Sequence, residues 1–471
     1  MIEYCRSFGI VLGLLAKPRV ILEDQSDDGH KKLKHAITSL FIVPHRDLAY
    51  QLFYWIERIV RELKHEARLN SIVQVLVRGS DKPLKKLIEE LKETPPHILI
   101  STPQAFLEVH RMDKEAVQVG MLKTVVVDEV DYLVRTVVKD RKNSYWKAYE
   151  NALKKIRTHP GPTREILDII YERRKELWEN PYKPEEDEEH RHNSIGEWRN
   201  DVEAEESIPQ LVLSSATLRV HLKDYLFGES GWLNGYNLVK ISGEIPGAAV
   251  GENQEKIREI EHSILVVSDT GVQSVDGAVE SLSEESKKDR EAEEEADSES
   301  YEIESKRDSV KQAQLPDERP SPFNPVALEA IARAFALDIP VAGLLVLPSS
   351  APVKRAVNEL RTMGVNAHGV DLRKHRADWM ATADPTLLVA TPATTRGLDL
   401  PSLTHVFVLG IPEGPGVSGR TVDTYVHIAG RVGRFGGPGK VISVVEKAEA
   451  AKMGRILGAI GEKPVQFKQL I

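Results

Sequence analysis

Cysteine is almost absent from the 471-residue chain, which contains Cys5 alone. A single cysteine excludes an internal disulfide, and this favours a reducing compartment. Apolar stretches are no longer than a strand or a short helix, so the sequence predicts no segment that spans a membrane. The first twenty residues lack a basic region ahead of their apolar part and are poor in arginine and serine. They are therefore typical neither of a secretory signal nor of a mitochondrial transit peptide.

Positive charge is scarce in one segment, and the acidity of the chain is concentrated there. The whole chain has a formal net charge of −9. Residues 251–320 contain 9 Lys and Arg against 21 Asp and Glu, a net charge of −12, so the rest of the chain carries +3. Low hydrophobicity from residue 268 onward predicts an acidic and mostly disordered linker over 251–320. A phosphate-binding surface remains feasible outside this segment.

Short β-branched runs alternate with stretches of helical periodicity on both sides of this acidic segment. Strand–helix alternation predicts parallel sheets that are covered by helices on both faces. The pattern before the linker is repeated after it, which predicts an α/β fold with two similar lobes. The predicted division is a first lobe over 1–250, with an insertion at about 136–207, the linker over 251–320, and a second lobe over 321–471.

Two acidic residues end a hydrophobic strand in VVVDEVDYL, residues 125–133. Asp128 and Glu129 are therefore expected at the carboxyl edge of the sheet, where open α/β sheets bind ligands. Asp128 suits the water shell of Mg²⁺, and Glu129 suits a base that activates an attacking water. Acidic pairs after strands are also common as helix caps, so this pattern alone leaves both interpretations open.

Further short segments follow the predicted strands in a fixed order. They read PHRDLAYQ (44–51), STPQAF (101–106), DEVD (128–131), SSAT (214–217), LLVLPSS (344–350), VATPATTRGLD (389–399) and HIAGRVGR (427–434). In order and spacing they resemble motifs Ia, Ib, II, III, IV, V and VI of the DEAD-box RNA helicases of superfamily two, over roughly residues 37–450. The resemblance implies two RecA-like lobes with parallel sheets, ATP and Mg²⁺ as ligands, and RNA as the partner.

The resemblance also implies a role for each matching residue. Asp128 would hold Mg²⁺ through water, and Glu129 would be the general base. The other catalytic residues implied are His427, Arg431 and Arg434. Those that would couple motif II to motif III are Asp131, Ser215, Ala216 and Thr217. Nucleotide contacts are implied for Gly397 and Asp399. Contacts to the RNA backbone, largely independent of base sequence, are implied for Pro44, Arg46, Thr102, Pro103 and Thr391.

Four motif positions depart from the family pattern. Ile428 replaces an arginine, Pro392 an aspartate, and Gln104-Ala105 a Gly-Arg pair, while Val130 replaces an alanine. The first three changes weaken the prediction of tight RNA binding and efficient coupling.

The chain also resembles the fungal mitochondrial branch of the family, which is linked to ribosome assembly. The resemblance lies in the large insertion, the acidic linker and the divergent motif VI. This similarity implies a monomer in the mitochondrial matrix, with ribosomal or other ribonucleoprotein partners and without a membrane partner.

A second interpretation of the linker is that it acts as an acidic mimic, which competes for a basic groove that binds RNA.

A phosphate-binding loop is missing, because no Gly-Lys in the sequence is followed by Ser or Thr. FGIVLGLLAKPRVI (8–21) resembles the helix that follows this loop in the family, so the chain would begin just downstream of the loop. Two explanations stay open. The N-terminus is incomplete, and the protein is an ATP-dependent RNA helicase that remodels RNA duplexes or ribonucleoproteins. Alternatively, it is a catalytically inactive helicase-like protein that binds RNA or ribosomes.

Overall fold

The fold is described from a computed structural model. Two compact units are present: Met1–Gly251 with Asp371–Arg376 and Arg396–Asp399, and Glu252–Val370 with Ala377–Thr395 and Leu400–Ile471. The structure describes residues 2–25, 31–63, 68–79, 82–137, 146–179, 208–233, 237–241, 260–268, 271–279, 320–339, 341–372, 384–400, 403–413, 417–433 and 437–467. Within these residues, no helix combines the length and the apolar character that crossing a membrane requires.

The first unit is built on a parallel sheet. A short antiparallel pair comes first, β1 (Ile21–Gln25) with β2 (Lys31–His35). The sheet strands described are β3 (Ser39–Ile42), β4 (Val73–Leu76), β5 (Ile98–Ser101), β6 (Thr124–Val127) and β7 (Gln210–Leu213). Their order is β4-β5-β3-β6-β7, and every pairing among them is parallel. Every residue of β3, β5 and β6 is buried, as a sheet covered on both faces requires.

Helices connect these strands and cover the sheet. In chain order they are α1 (Ile2–Leu15), α2 (Arg46–Leu63), α3 (Leu69–Ile72), α4 (Leu84–Glu93), α5 (Pro103–Met112), α6 (Val130–Leu133), α7 (Trp146–Thr158), α8 (Pro162–Ile170), α9 (Glu172–Glu179) and α10 (Val220–Gly228). Two 3₁₀ turns, Lys114–Val117 and Val119–Met121, lead into β6. Helices α2 and α5 begin within a few residues of the ends of β3 and β5, which places their first turns at the carboxyl edge of the sheet.

The predicted insertion at 136–207 contains part of the core. Ile166, Leu167 and Tyr171 are fully buried, and all three pack in the same apolar cluster as β6 and α5. Polar residues separate these apolar residues in the sequence, so the composition of the segment did not predict a buried face. Residues 138–145 and 180–207 of the predicted insertion lie outside the described residues.

The second unit contains a mixed sheet whose described strands have the order β11-β12-β10-β13-β14-β8-β9. The strands are β8 (Ile260–Ser268), β9 (Gly271–Ser274), β10 (Ala342–Val346), β11 (Ala367–Gly369), β12 (Thr386–Ala390), β13 (Leu403–Leu409) and β14 (Gly439–Glu446). The helices are α11 (Pro325–Asp338), α12 (Val353–Thr362), α13 (Pro392–Thr395), α14 (Gly419–Ala429) and α15 (Lys447–Ala459). Strand β9 is antiparallel to β8, and the other pairings are parallel.

The linker predicted over 251–320 is too long at its N-terminal end. Strand β8 falls inside that range and is buried from His262 to Val267. It pairs with β14 over eight residues, which makes it part of the second unit rather than a connection. The prediction rested on the net charge of the whole range 251–320, and this total does not reveal a short apolar run within it. Residues 280–319, which include the most acidic stretch, lie outside the described residues.

Candidate active site

Asp128 follows β6 directly and is only 2% exposed. Its backbone N–H donates to the Ile42 carbonyl at 3.0 Å, which ties the end of β6 to β3. The Oδ1 atom of Asp128 accepts from the Glu129 backbone N–H at 3.1 Å. Its Oδ2 atom accepts from the Ser7 hydroxyl at 2.7 Å. These two hydrogen bonds fix the orientation of the carboxylate.

Glu129 occupies the left-handed backbone region, with φ of 54° and ψ of 47°. A residue with a side chain costs about 1–2 kcal/mol there, and such strain clusters at functional sites. The next residue, Val130, donates its N–H to the Ser214 carbonyl at 3.0 Å, and the Ser214 N–H donates to Val127 at 2.9 Å. This pair of bonds joins the ends of β6 and β7 and holds the strained turn in place. Glu129 itself is 3% exposed.

The residues of motifs II and III that were predicted to couple lie in direct contact. Thr217 Oγ1 donates to Asp131 Oδ2 at 2.8 Å. Ser215 Oγ donates to the Thr217 carbonyl at 2.9 Å and accepts from the Thr217 N–H at 3.1 Å, so it shapes the turn that presents Thr217. Ala216 lies between them and is exposed.

Sequence reasoning missed two residues of this site, Arg6 and Ser7. Both lie on α1, where the Ser7 hydroxyl contacts Asp128 and the Arg6 guanidinium donates to the Ser215 carbonyl. Ser7 is buried and Arg6 is partly buried. A basic residue followed by a hydroxyl residue, near the start of a helix that meets a motif II aspartate, is how a phosphate-binding loop ends. This Arg-Ser pair lacks the Gly-Lys of the usual loop, although it directly precedes the apolar segment 8–21.

The predicted RNA contacts of the first unit lie at the same edge of the sheet. Pro44 and Arg46 follow β3, and Thr102 and Pro103 follow β5, a strand that pairs with β3. Because the carboxyl ends of parallel strands meet at one edge, these residues share that edge with Asp128. Pro103 opens α5, where the missing N–H of proline is tolerated, and Arg46 keeps 38% of its side chain exposed.

The residues of motif V surround a short helix. The Thr391 N–H donates to Thr394 Oγ1 at 3.0 Å, immediately after β12. Pro392 begins α13, so the proline that replaces the aspartate of the family fits the first helical turn. Gly397 has a φ of 67°, a backbone conformation that favours glycine, and Asp399 follows two residues later.

Motif VI lies at the end of α14. His427 is 4% exposed and Arg431 is 1% exposed. The Arg431 Nε–H donates to the His427 carbonyl at 3.0 Å, which holds the guanidinium against the helix end. Ile428, which replaces an arginine of the family, is 1% exposed and packs in the interior. Arg434 lies outside the described residues.

Comparison with known families agrees with this arrangement. Residues 19–181 match the DEAD/DEAH box helicase family, and residues 365–436 match the helicase conserved C-terminal domain. The chain belongs to the DEAD-box helicases of superfamily two. The two matches lie on either side of the acidic segment.

Individual relatives of this DEAD-box helicase match over short stretches. It is 39% identical over 85 residues to the DEAD-box ATP-dependent RNA helicase CshC of Bacillus cereus, which covers 17% of this chain and 20% of CshC. It is 33% identical over 126 residues to the ATP-dependent rRNA helicase rrp3 of Botryotinia fuckeliana, which covers 24% of each protein. The matched stretches thus span only about a fifth to a quarter of these curated relatives.

A solved structure shares the fold over almost the whole chain. The Mycobacterium smegmatis helicase Lhr, bound to ssDNA and AMP-PNP, superposes with a TM-score of 0.51 at 14% identity. The likeness covers 99% of this chain and 46% of Lhr. It agrees with two RecA-like units whose sheets are wholly parallel in the first unit and mostly parallel in the second.

Proposed function

We propose that this DEAD-box helicase couples ATP binding and hydrolysis to the remodelling of RNA duplexes or ribonucleoproteins. The observation that carries the proposal is the buried hydrogen bond of 2.7 Å between Ser7 and Asp128, beside Glu129 at the end of β6. It joins a hydroxyl and a carboxylate at the sheet edge where open α/β folds bind ligands. The same edge carries the predicted RNA contacts.

The oxygen atoms of this site fit Mg²⁺. Mg²⁺ prefers oxygen ligands and usually keeps several waters. Ser7 Oγ and the Asp128 carboxylate would hold the ion, partly through water, and their 2.7 Å bond keeps both oxygens at one place. When bound, the ion neutralises negative charge on the phosphate oxygens of ATP. Arg6 takes the position at which a phosphate-binding loop has its lysine, and it brings a positive charge to the same place.

The other residues of the site have separate proposed roles in hydrolysis and coupling. Glu129 orients the attacking water and accepts its proton, since its carboxylate adjoins Asp128 in the sequence. Arg431, together with Arg434, supplies guanidinium groups to the charge that spreads over the transferred phosphoryl group. The Asp131–Thr217 hydrogen bond links motif II to motif III, so a change at the nucleotide reaches the segment that follows β7.

RNA is the proposed partner, and it is held through its backbone. Pro44, Arg46, Thr102 and Pro103 of the first unit, with Thr391 of motif V, would contact sugar and phosphate groups, which carry little sequence information. The name of the relative rrp3 refers to rRNA. We therefore favour ribosomal or other ribonucleoprotein substrates. A monomeric state and a mitochondrial location stay predictions from the sequence.

Glu129→Gln tests the proposal, because it keeps the shape of the side chain and removes the base. We expect the wild-type chain to hydrolyse ATP faster with single-stranded RNA, and the variant to lose at least about 100-fold of that rate. The matched control is Glu93→Gln, whose side chain is exposed at the end of α4, and it should keep the wild-type rate. Wild-type RNA binding without RNA-stimulated hydrolysis would contradict the proposal and favour the inactive helicase-like protein.

A further inference from the structure

Arg164 is a buried arginine on α8, outside every motif discussed above. It is 8% exposed, although arginine rarely lies inside a protein without partners. Its Nη2 atom donates to the carbonyl of Arg135, two residues after the motif II helix α6. Its Cζ atom lies 3.9 Å from the centroid of the Tyr225 ring on α10, the helix that follows motif III. One guanidinium therefore contacts the segments that follow motif II and motif III.

Further contacts hold the Tyr225 ring in place. The Tyr225 ring packs edge-on against Trp232 with centroids 5.6 Å apart, and Trp232 is fully buried. Trp232 Nε1 donates to Asp168 Oδ1 at 3.0 Å, and Asp168 lies one turn after Arg164 on α8. Burial raises the pKa of Tyr225 to about 12, so the guanidinium faces a neutral ring at physiological pH. Cation–π contacts are strongest when both groups are withdrawn from water.

The same helix also contacts α5, which begins at the predicted RNA residue Pro103 and is preceded by the predicted RNA residue Thr102. Ile166 of α8 packs in one apolar cluster with Phe106 and Val109 of α5. Arg111 near the end of α5 donates to Glu165 of α8 at 2.6 Å. Helix α8 therefore touches the RNA-contacting helix on one side and, through Arg164, the two motif-bearing segments on another.

We propose that Arg164, held against Tyr225, is a positioning residue that couples RNA binding at α5 to the motif II–III pair. This inference rests on the proposed function. The Asp131–Thr217 hydrogen bond joins motifs II and III at the catalytic edge, and Arg164 joins the same two segments a few residues further along each. The backbone hydrogen bonds of Val130 and Ser214 already join the strand ends, and Arg164 adds a connection beyond them that fixes how the following segments are oriented. A shift of α5 on binding RNA then reaches Asp131 and Thr217 through α8.

The test compares Arg164→Met with Arg174→Met. Arg174 is a matched control, because it also donates to a buried carbonyl, that of Trp232 at 2.8 Å, and lies 5.3 Å from the ring of Tyr171. None of the described contacts of Arg174 involves Arg135 or Tyr225, the two partners of Arg164. The two readouts are the ratio of ATP hydrolysis with and without single-stranded RNA, and hydrogen–deuterium exchange of the peptide that covers 130–135.

We expect Arg164→Met to reduce the RNA stimulation by about tenfold, with a smaller effect on hydrolysis without RNA. We expect faster exchange in peptide 130–135, and neither change in Arg174→Met. Tyr225→Phe keeps the ring and should behave as the wild type. Tyr225→Leu should match Arg164→Met, and combining those two changes should add little, because each removes the same contact.

Equal effects of Arg164→Met and Arg174→Met on both readouts would overturn the coupling role and leave a structural one. A wild-type chain without RNA stimulation would contradict the proposed function instead. In that case the exchange measurement still decides whether Arg164 positions the motif II segment. If Arg164→Met does not fold, the comparison of Tyr225→Leu with Tyr225→Phe decides the same question.

Discussion

The Ser7–Asp128 hydrogen bond connects residues that are 121 positions apart in the sequence. It matters because Asp128 lies almost fully inside the protein, where a carboxylate needs hydrogen-bond donors in place of water. Ser7 supplies one donor and the Glu129 backbone supplies another. Ser7 therefore orients the carboxylate that we assign to Mg²⁺, and it is also a proposed ligand itself.

Ser7→Ala is expected to weaken the use of Mg·ATP without unfolding the protein. Alanine is a better helix former than serine, so α1 should persist. A hydrogen bond to a charged group contributes about 1.5–3 kcal/mol, which corresponds to roughly a 10- to 100-fold loss in kcat/KM. The measurement is ATP hydrolysis as a function of Mg²⁺ concentration. Ser7→Thr keeps the hydroxyl and should remain close to the wild type, whereas an unchanged Mg²⁺ dependence in Ser7→Ala would remove Ser7 from the site.

At the residue scale, the sequence could predict that motifs II and III lie together, but it could predict neither every residue of the site nor its geometry. Asp131 and Thr217 could be paired in advance because both belong to ordered motifs. The left-handed backbone of Glu129 could not, since it arises from the hydrogen bonds that join the ends of β6 and β7. Ser7 could not be predicted because its role depends on a tertiary contact. The Arg-Ser pair also lacks the glycine of the pattern Gly-Lys followed by Ser or Thr.

Strand β8 shows what an element contributes beyond its own sequence. It lies between β14 and β9 in the sheet, and its buried His262 faces Tyr425 on α14. His262 Nδ1 and the Tyr425 hydroxyl are 2.9 Å apart, so the unprotonated Nδ1 of a neutral imidazole can accept a hydrogen bond from the hydroxyl. Burial lowers the pKa of His262 to about 4.

This shift predicts a loss of stability in the second unit as the pH falls. The pKa of His262 is about 6.5 in the unfolded chain, which therefore binds a proton between pH 6.5 and 4 that the folded protein excludes. The contribution is complete above pH 6.5 and decreases below it, by about 2 kcal/mol between pH 7.5 and pH 5. Native-state hydrogen exchange of β8 peptides at the two pH values measures it. His262→Gln should lose this part of the pH dependence, and a variant with the wild-type slope would show that another group is responsible.

Most elements with strong periodicity were predictable, because apolar spacing alone determines which face is buried. Helix α2, from Arg46 to Leu63, is an example, because its apolar residues recur at helical spacing and form its buried face. The exceptions, α8 and β8, share one cause. Each is a short apolar segment inside a long polar stretch, so composition outweighed periodicity. Their burial is decided by partners far away in the chain, α5 and α10 for α8 and β14 for β8.

The whole molecule has two units, and the catalytic assignment draws on both. Asp128, Glu129 and Ser7 belong to the first unit, whereas His427 and Arg431 belong to the second. The proposed function requires ATP and RNA each to change the affinity of the protein for the other. Such coupling is reciprocal and typically amounts to about 1–3 kcal/mol. An RNA-binding protein without nucleotide coupling would not show it.

The most direct test of this account is the affinity for RNA with and without nucleotide. A fluorescently labelled single-stranded RNA is titrated with the full chain, in Mg²⁺ alone and in Mg²⁺ with a non-hydrolysable ATP analogue, and Kd is read from anisotropy at a fixed salt concentration. We predict that the analogue lowers Kd by at least about fivefold, and that Ser7→Ala reduces this effect. The same Kd in both conditions, with RNA bound in each, would contradict an ATP-coupled helicase.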